Sequence, residues 1–170
     1  YDKEEKIQVR IEVERLLSGS APVEEMHLEY QPIVELESGT IIAQEALLRW
    51  NNDFLGEVEP YLLLELLTDS RPALNLARWT LDELLKNSVQ IVSVTNLNIN
   101  ISPELLFSRD RRLLDYLVND ISNANRKNYP ISLEFSPRIL AWSKKRILQV
   151  ANELDEAGYG LILDDVTPRE

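Results

Sequence analysis

The 170-residue chain contains no cysteine and a single histidine, His27. It therefore has no disulfide framework, no thiolate nucleophile, no Cys/His zinc cage and no three-histidine metal site. A Ser-His-Asp triad would have to use His27, and no nucleophile motif accompanies it, so a surface histidine is the simpler reading. The five glycines (Gly19, Gly39, Gly56, Gly158 and Gly160) are scattered, which excludes a glycine-rich phosphate loop. Apolar runs extend for only a few residues, too few to span a bilayer. The opening residues, Tyr1-Asp2-Lys3-Glu4-Glu5-Lys6, carry no signal-peptide pattern and no initiator methionine, so further sequence upstream is expected. Positive charge is also short: 18 Lys and Arg face 29 Asp and Glu, a net charge of −11. Such a surface repels nucleic-acid polymers and anionic membranes, and it admits a small anionic ligand only where a metal or a local arginine neutralises it.

What remains is 44% hydrophobic and 28% charged, enough for one domain with a real core. In residues 4–17, Ile7, Val9, Ile11 and Val13 alternate as in a strand, but the intervening Glu, Gln and Arg equally suit a helix. Ser18-Gly19-Ser20-Ala21-Pro22 reads as a connection. Leu28–Val34 and Ile41–Trp50 read as a β-hairpin turning at Glu37-Ser38-Gly39-Thr40. Asn51-Asn52-Asp53 reads as the end of the second strand, with Gly56 and Pro60 in the loop beyond. A short helix is expected over 60–67. A second starts near Pro72 with Ser70 as its cap, and buries Leu74, Ala77, Leu81, Leu84 and Leu85. The strand Leu97–Ile101 leads to Ser102-Pro103, a helix start. Further helices are expected over 111–125 and 147–157, and further strands over 131–135 and 161–165. After the hairpin, helices and strands alternate, which implies an α/β fold with parallel strands, about five in all.

Four of these strands carry a polar group at or near the C-terminal end: Glu45, Asn100, Glu134, and Asp164 with Asp165. Strand alternation also puts Leu47 and Arg49 on the face of Glu45, and Asn98 on the face of Asn100. In a (β/α) barrel those ends converge at one mouth. Carboxylates gathered there would repel one another without a cation. An all-oxygen set suits Mg²⁺ or Mn²⁺, with Ca²⁺ as an inhibitor-like occupant. Two such ions can activate a water and stabilise a phosphoryl leaving group. Taken singly, each acid is more simply a helix cap or a salt-bridge partner. The metal-dependent phosphoester chemistry rests on four strands sharing one placement.

Tyr30-Gln31-Pro32-Ile33, Glu45-Ala46-Leu47-Leu48-Arg49-Trp50, Asn100-Ile101-Ser102, Glu134 and Asp164-Asp165 resemble, in order and spacing, the EAL domain family. The Leu55–Pro60 loop and Leu76-Ala77-Arg78-Trp79 are similar to it as well, so the likeness runs from about residue 15 to the last. The resemblance implies a modified TIM barrel whose first strand runs antiparallel to the second. It also implies hydrolysis of one phosphodiester of cyclic-di-GMP to pGpG in a bacterial, cytoplasmic setting. By the same resemblance Glu45, Asn100, Glu134, Asp164 and Asp165 are metal ligands for Mg²⁺ or Mn²⁺. Arg49 contacts a phosphate and Leu47 lines the pocket.

The likeness has departures. A complete barrel takes about 250 residues, so this is the N-terminal part of one over 21–170, and residues beyond Glu170 are expected. The lysine and the late glutamate that the family uses in catalysis have no counterpart here. The isolated chain is therefore expected to be inactive, and its open sheet edge to favour pairing. Glu134-Phe135-Ser136-Pro137 lacks the family's second acid, Asp164-Asp165-Val166 lacks its Phe-Gly, and Asn51-Asn52-Asp53 replaces a basic-His-Pro run. Retained ligands with altered loops suit either an enzyme or a non-catalytic module that binds cyclic-di-GMP or a protein. Residues 1–20 are expected to enter from an upstream sensory or diguanylate cyclase-like domain, and a homodimer is compatible with the family. No contact with membrane or nucleic-acid polymers is expected.

Overall fold

The computed structural model describes residues 3–17, 25–58, 63, 71–88, 96–107, 109–121 and 130–164. The first element is a helix, α1 (Lys3–Leu17). Its alternating Ile7-Val9-Ile11-Val13 run is two helical stripes in superposition. Val9, Val13 and Leu16, spaced i, i+4 and i+7, are fully buried, whereas Ile7 and Ile11 are each 51% exposed. The buried stripe packs against Met26, Trp50, Val58, Leu63, Ala73 and Leu76. Each such aliphatic burial contributes about 1.5–3 kcal/mol relative to exposure, which tips a segment of mixed propensity into a helix.

The hairpin strands are β1 (Met26–Val34) and β2 (Ile41–Asn52). They pair antiparallel, from Met26 opposite Trp50 to Val34 opposite Ile41. Gly39 takes φ +69°, a left-handed conformation that a side chain would oppose, and the turn closes by Glu35 N–H donating to Thr40 O at 2.9 Å. Pro32 lies within β1. A residue without an N–H is tolerated there because, among the described residues, β1 is the outer strand of the sheet.

β2 ends within Asn51-Asn52-Asp53, as the sequence suggests, but Asn51 and Asn52 are its last paired residues, opposite Glu57 and Gly56. Asn52 Oδ1 accepts from the backbone N–H groups of Phe54 and Leu55 at 2.9 and 3.0 Å and folds a tight turn. The chain then returns as a sixth strand, β3 (Gly56–Val58), antiparallel to β2, where a loop was expected. An asparagine that bonds its own following backbone initiates turns as readily as it breaks strands.

Next come α2 (Arg71–Ser88) and the parallel strand β4 (Leu97–Asn100). Ser70 and the expected helix over 60–67 lie outside the described residues, apart from Leu63, which is helical and buried. The short helix α3 (Pro103–Phe107) begins after Ser102, whose carbonyl accepts from Leu105 N–H at 3.1 Å. The helix α4 (Arg112–Asp115) runs on as a wider π-type turn over Tyr116–Ile121, so the regular helix expected over 111–125 is regular only in its first turn. Residues 122–125 lie outside the described residues. After β5 (Ile131–Phe135) and a 3₁₀ turn, α5 (Lys144–Glu156) starts three residues before the expected 147, because Ser143 Oγ caps it by accepting from Arg146 N–H at 3.3 Å. The last strand described is β6 (Gly160–Leu163).

Among the described residues the strands form one six-stranded sheet in the order β1-β2-β4-β5-β6, with β3 joined to the far end of β2. The β2–β4, β4–β5 and β5–β6 pairs are parallel. This is the mixed α/β architecture expected from the sequence, an open sheet with an antiparallel first strand. Leu97, Ile99, Ile101, Ile131, Leu133 and Phe135 share one face and are buried with residues of α2, α3, α4 and α5. The opposite face is therefore free to carry polar side chains at its strand ends. No helix among the described residues is long and apolar enough to cross a membrane.

Candidate functional site

Register alone assembles the site. Glu45 on β2 pairs with Asn98 on β4, Asn98 with Ser132 on β5, and Ser132 with Gly160 on β6. Two residues further on, Asn100 pairs with Glu134, and Glu134 with Ile162. Partners in register project to the same side, so Glu45, Asn98, Asn100, Ser132 and Glu134 share the face opposite the helices. Asp164 follows β6 directly, its N–H donating to Phe135 O at 2.9 Å. On the antiparallel side, Gln31 pairs with Glu45, Glu29 with Leu47 and His27 with Arg49, adding three polar groups to that face.

The two glutamates are held by amides from the neighbouring row. Asn100 Nδ2 donates to Glu45 Oε1 at 2.7 Å, and Asn98 Nδ2 donates to Glu134 Oε1 at 2.7 Å. Asn98 Oδ1 accepts from Asn96 Nδ2 at 2.6 Å, and the same nitrogen donates to Ser132 Oγ at 2.8 Å. Gly160 leaves room for this hydroxyl, because a Cβ there would stand 2.2 Å from Ser132 Oγ. Asn98, Ser132 and Glu134 are all buried.

Burial pushes the Glu134 carboxyl above its ordinary pKa. The Asn98 hydrogen bond opposes that shift, whereas the charges of Glu45 and Asp164 and a hydrogen bond with Glu45 reinforce it. The structure thus brings Glu45, Asn100, Glu134 and Asp164 to one end of the sheet. Asp165 lies outside the described residues. Among the described residues no three acidic or histidine side chains sit close enough to share one ion. The donor chemistry nonetheless fits a hard divalent cation: Glu45, Asn100, Glu134 and Asp164 offer only oxygens as ligand atoms, and the charges of Glu45 and Asp164 act on Glu134.

Arg49 is at the same end, but its Nε donates to Glu29 Oε2 at 2.8 Å. His27 Nε2 stands 3.9 Å from Glu29 Oε1. Leu47 borders an apolar cavity of about 110 Å³ that runs behind Asn100 to Ala73, Leu76 and Leu105 and has no ionisable side chain in its wall. Sequence reasoning missed Glu29, Asn96 and Ser132 as parts of this site, and it placed Asn98 on the polar strand face of Asn100 without giving it a role. Pairing the alternation of β1 with that of β2 would have found Glu29.

A mixed α/β sheet whose parallel strands gather amides and carboxylates at their ends has the layout of part of one end of a (β/α) barrel. The family model described as "EAL domain" matches residues 15–168, and the chain belongs to the EAL domain family. The cyclic di-GMP phosphodiesterase PA2567 of Pseudomonas aeruginosa is 28% identical over 153 residues, covering 88% of this chain and 26% of that protein. The oxygen sensor protein DosP of Escherichia coli is 25% identical over 161 residues, covering 89% of this chain and 20% of that protein. The structure of the PaMucR phosphodiesterase in complex with c-di-GMP has the same fold, with a TM-score of 0.75 at 24% identity over 96% of this chain and 66% of that one. The chain spans between 17% and 26% of the length of the curated relatives it matches.

Proposed function

We propose that this EAL domain serves cyclic-di-GMP signalling and that the complete protein hydrolyses one phosphodiester of cyclic-di-GMP to the linear pGpG. The observation that carries this reading is the convergence of Glu45, Asn100, Glu134 and Asp164 at one sheet end, with the Glu134 carboxyl pushed up first by burial and further by the charges of Glu45 and Asp164. That is an anionic, all-oxygen site in need of a cation. Glu45, Asn100, Glu134 and Asp164, with Asp165, would hold Mg²⁺ or Mn²⁺. Bound there, the cation supplies a more acidic water and neutralises charge on the phosphoryl oxygens. In the reaction a P–O bond to one ribose opens, hydroxide adds to phosphorus, and the departing oxygen takes a proton. Arg49 would contact a phosphate of the dinucleotide, and Leu47 would line the pocket.

The relatives support the setting. They include a protein named as a cyclic di-GMP phosphodiesterase and one named as an oxygen sensor, both several times longer than this chain. We accordingly place the barrel body at 21–170 and read 1–20 as the element entering from an upstream sensory or diguanylate cyclase-like domain, in a cytoplasmic protein compatible with a homodimer.

A second reading, a non-catalytic cyclic-di-GMP-binding module, draws on the Glu29–Arg49 pair, which occupies the arginine that a phosphate would need. Chromatography of cyclic-di-GMP incubated with the complete polypeptide separates the two. Appearance of pGpG with Mg²⁺ or Mn²⁺, abolished by a chelator and by Glu45→Ala, is the expected result. Binding without product would favour the second reading, and absence of both would overturn each.

A further inference from the structure

We propose that Asn98 is a positioning residue of this site: oriented by Asn96, its amide holds one oxygen of Glu134 and leaves the other as a single, directed ligand for a small divalent cation. The inference rests on the reading above that the site takes a divalent cation. Asn98 is 3% exposed and lies on a central strand, where an unpaired amide would be costly. Both ends of it are used. The Glu134 carboxylate can only accept, so the Asn98 atom facing it at 2.7 Å is the nitrogen, and the Asn98 carbonyl oxygen faces Asn96 Nδ2 at 2.6 Å. The flipped amide would set nitrogen against nitrogen and carbonyl against carboxylate. Asn96 is itself fixed by its second bond to Ser132 Oγ, in the space that Gly160 leaves open. The orientation is thus set by chemistry through a continuous chain of side chains.

The register sharpens the point. Asn98 stands level with Glu45, and Asn100 level with Glu134, yet the bonds cross: Asn98 goes to Glu134 and Asn100 to Glu45. Each acid is therefore gripped by the amide of the other row, and the Asn98 bond fixes the rotation of the Glu134 carboxylate and takes up one lone pair of Oε1, which favours end-on coordination through the second oxygen. End-on coordination by one oxygen suits Mg²⁺ or Mn²⁺, which demand near-octahedral geometry at short distance. Ca²⁺ readily accepts both oxygens of a carboxylate in a looser shell. Asn98 on this account favours the smaller ion, acting through Glu134 without touching it.

Calorimetric titration of the complete polypeptide with MnCl₂ and with CaCl₂, in wild type, Asn98→Leu and Asn96→Ala, tests this. Asn98→Leu keeps the branching at Cγ and removes the donor. Its Mn²⁺ Kd should rise at least about 10-fold, the range for loss of a group bonded to a metal ligand, while its Ca²⁺ Kd changes less or improves. Asn96→Ala should shift the Mn²⁺ to Ca²⁺ ratio in the same direction by a smaller factor. Equal weakening for both ions, or none for either, would overturn the proposal, because a merely structural role predicts no change in the ratio. If Asn98→Leu does not fold, the ratio in Asn96→Ala, at a half-buried position, decides by the same criterion. A wild-type protein that takes up neither ion would overturn the metal reading itself, and this proposal with it. A wild-type protein that binds Mn²⁺, with variants of unchanged ratio, would overturn this proposal alone.

Discussion

Glu29 determines what Arg49 can do. The two side chains lie on the same face, from strands paired in antiparallel register, and their 2.8 Å contact is partly open to solvent. An incoming phosphate would have to displace that carboxylate from the guanidinium. Exposed pairs of this kind contribute about 0.2–1 kcal/mol, so Glu29→Gln should tighten binding of an anionic dinucleotide by up to about five-fold. Fluorescence anisotropy with a labelled cyclic dinucleotide would measure it, and unchanged or weaker binding would show that Arg49 is not the phosphate contact. At this scale the sequence is informative about one class of residue only. Glu45, Asn100, Glu134 and Asp164 stand out because an acid or amide on an apolar strand is rare and their strand positions repeat. Glu29 and Ser132 do not stand out. One sits on a half-exposed strand where charge is ordinary, the other is small and common, and their roles follow from cross-strand pairing that no single strand reveals.

Among the elements, α1 is joined to the sheet by polar as well as apolar contacts. Glu25 accepts from Trp50 Nε1 at 3.2 Å, Asn52 Nδ2 at 2.8 Å and Arg15 at 3.1 Å. It thus ties the helix to the end of β2 where Arg49 lies. Burial alone would raise the Glu25 pKa, but the three donors more than offset it and hold the carboxyl below its ordinary 4.5. Glu153 of α5 is held down in the same way, chiefly by its hydrogen bonds from Arg111. A carboxylate with a lowered folded-state pKa stabilises the fold above its ordinary pKa, and that contribution is lost as pH falls through the folded value. Glu25→Gln should therefore lower stability at pH 7 by about 1 kcal/mol, the worth of a hydrogen bond to a charged group discounted for partial exposure. The difference from wild type should shrink on going well below pH 4.5. Urea midpoints at neutral and strongly acid pH would show it, and a deficit independent of pH would refute the ionic origin. The sequence leaves α1 ambiguous because its apolar residues satisfy both periods, and tertiary burial of Val9, Val13 and Leu16 decides. It places the parallel strands within a few residues because their alternation is strong. It conceals β3, three residues long, behind loop-forming Asn, Asp and Gly.

For the molecule as a whole, charge is the governing property. With 29 acidic and 18 basic side chains it carries −11, and the candidate site adds its own local excess of carboxylates. A dianionic dinucleotide approaching that face meets repulsion that Arg49, already paired, offsets only in part. Raising the salt from 0.01 to 0.1 M shortens the screening length from about 30 Å to about 10 Å. The association rate of cyclic-di-GMP should therefore increase by a few-fold over that range, opposite to the fall expected of a basic nucleotide-binding protein. Divalent cations act on the same field from within. On the proposed metal reading, ions held beside Glu45 and Glu134 would cancel charge where the ligand arrives, so the salt dependence should flatten when Mn²⁺ is present. Stopped-flow measurement with a fluorescent cyclic dinucleotide, with and without Mn²⁺, checks both statements. A rate that falls with salt in the metal-free protein would mean that local cationic groups dominate the approach, and Arg49 would then have to be free of Glu29 in solution.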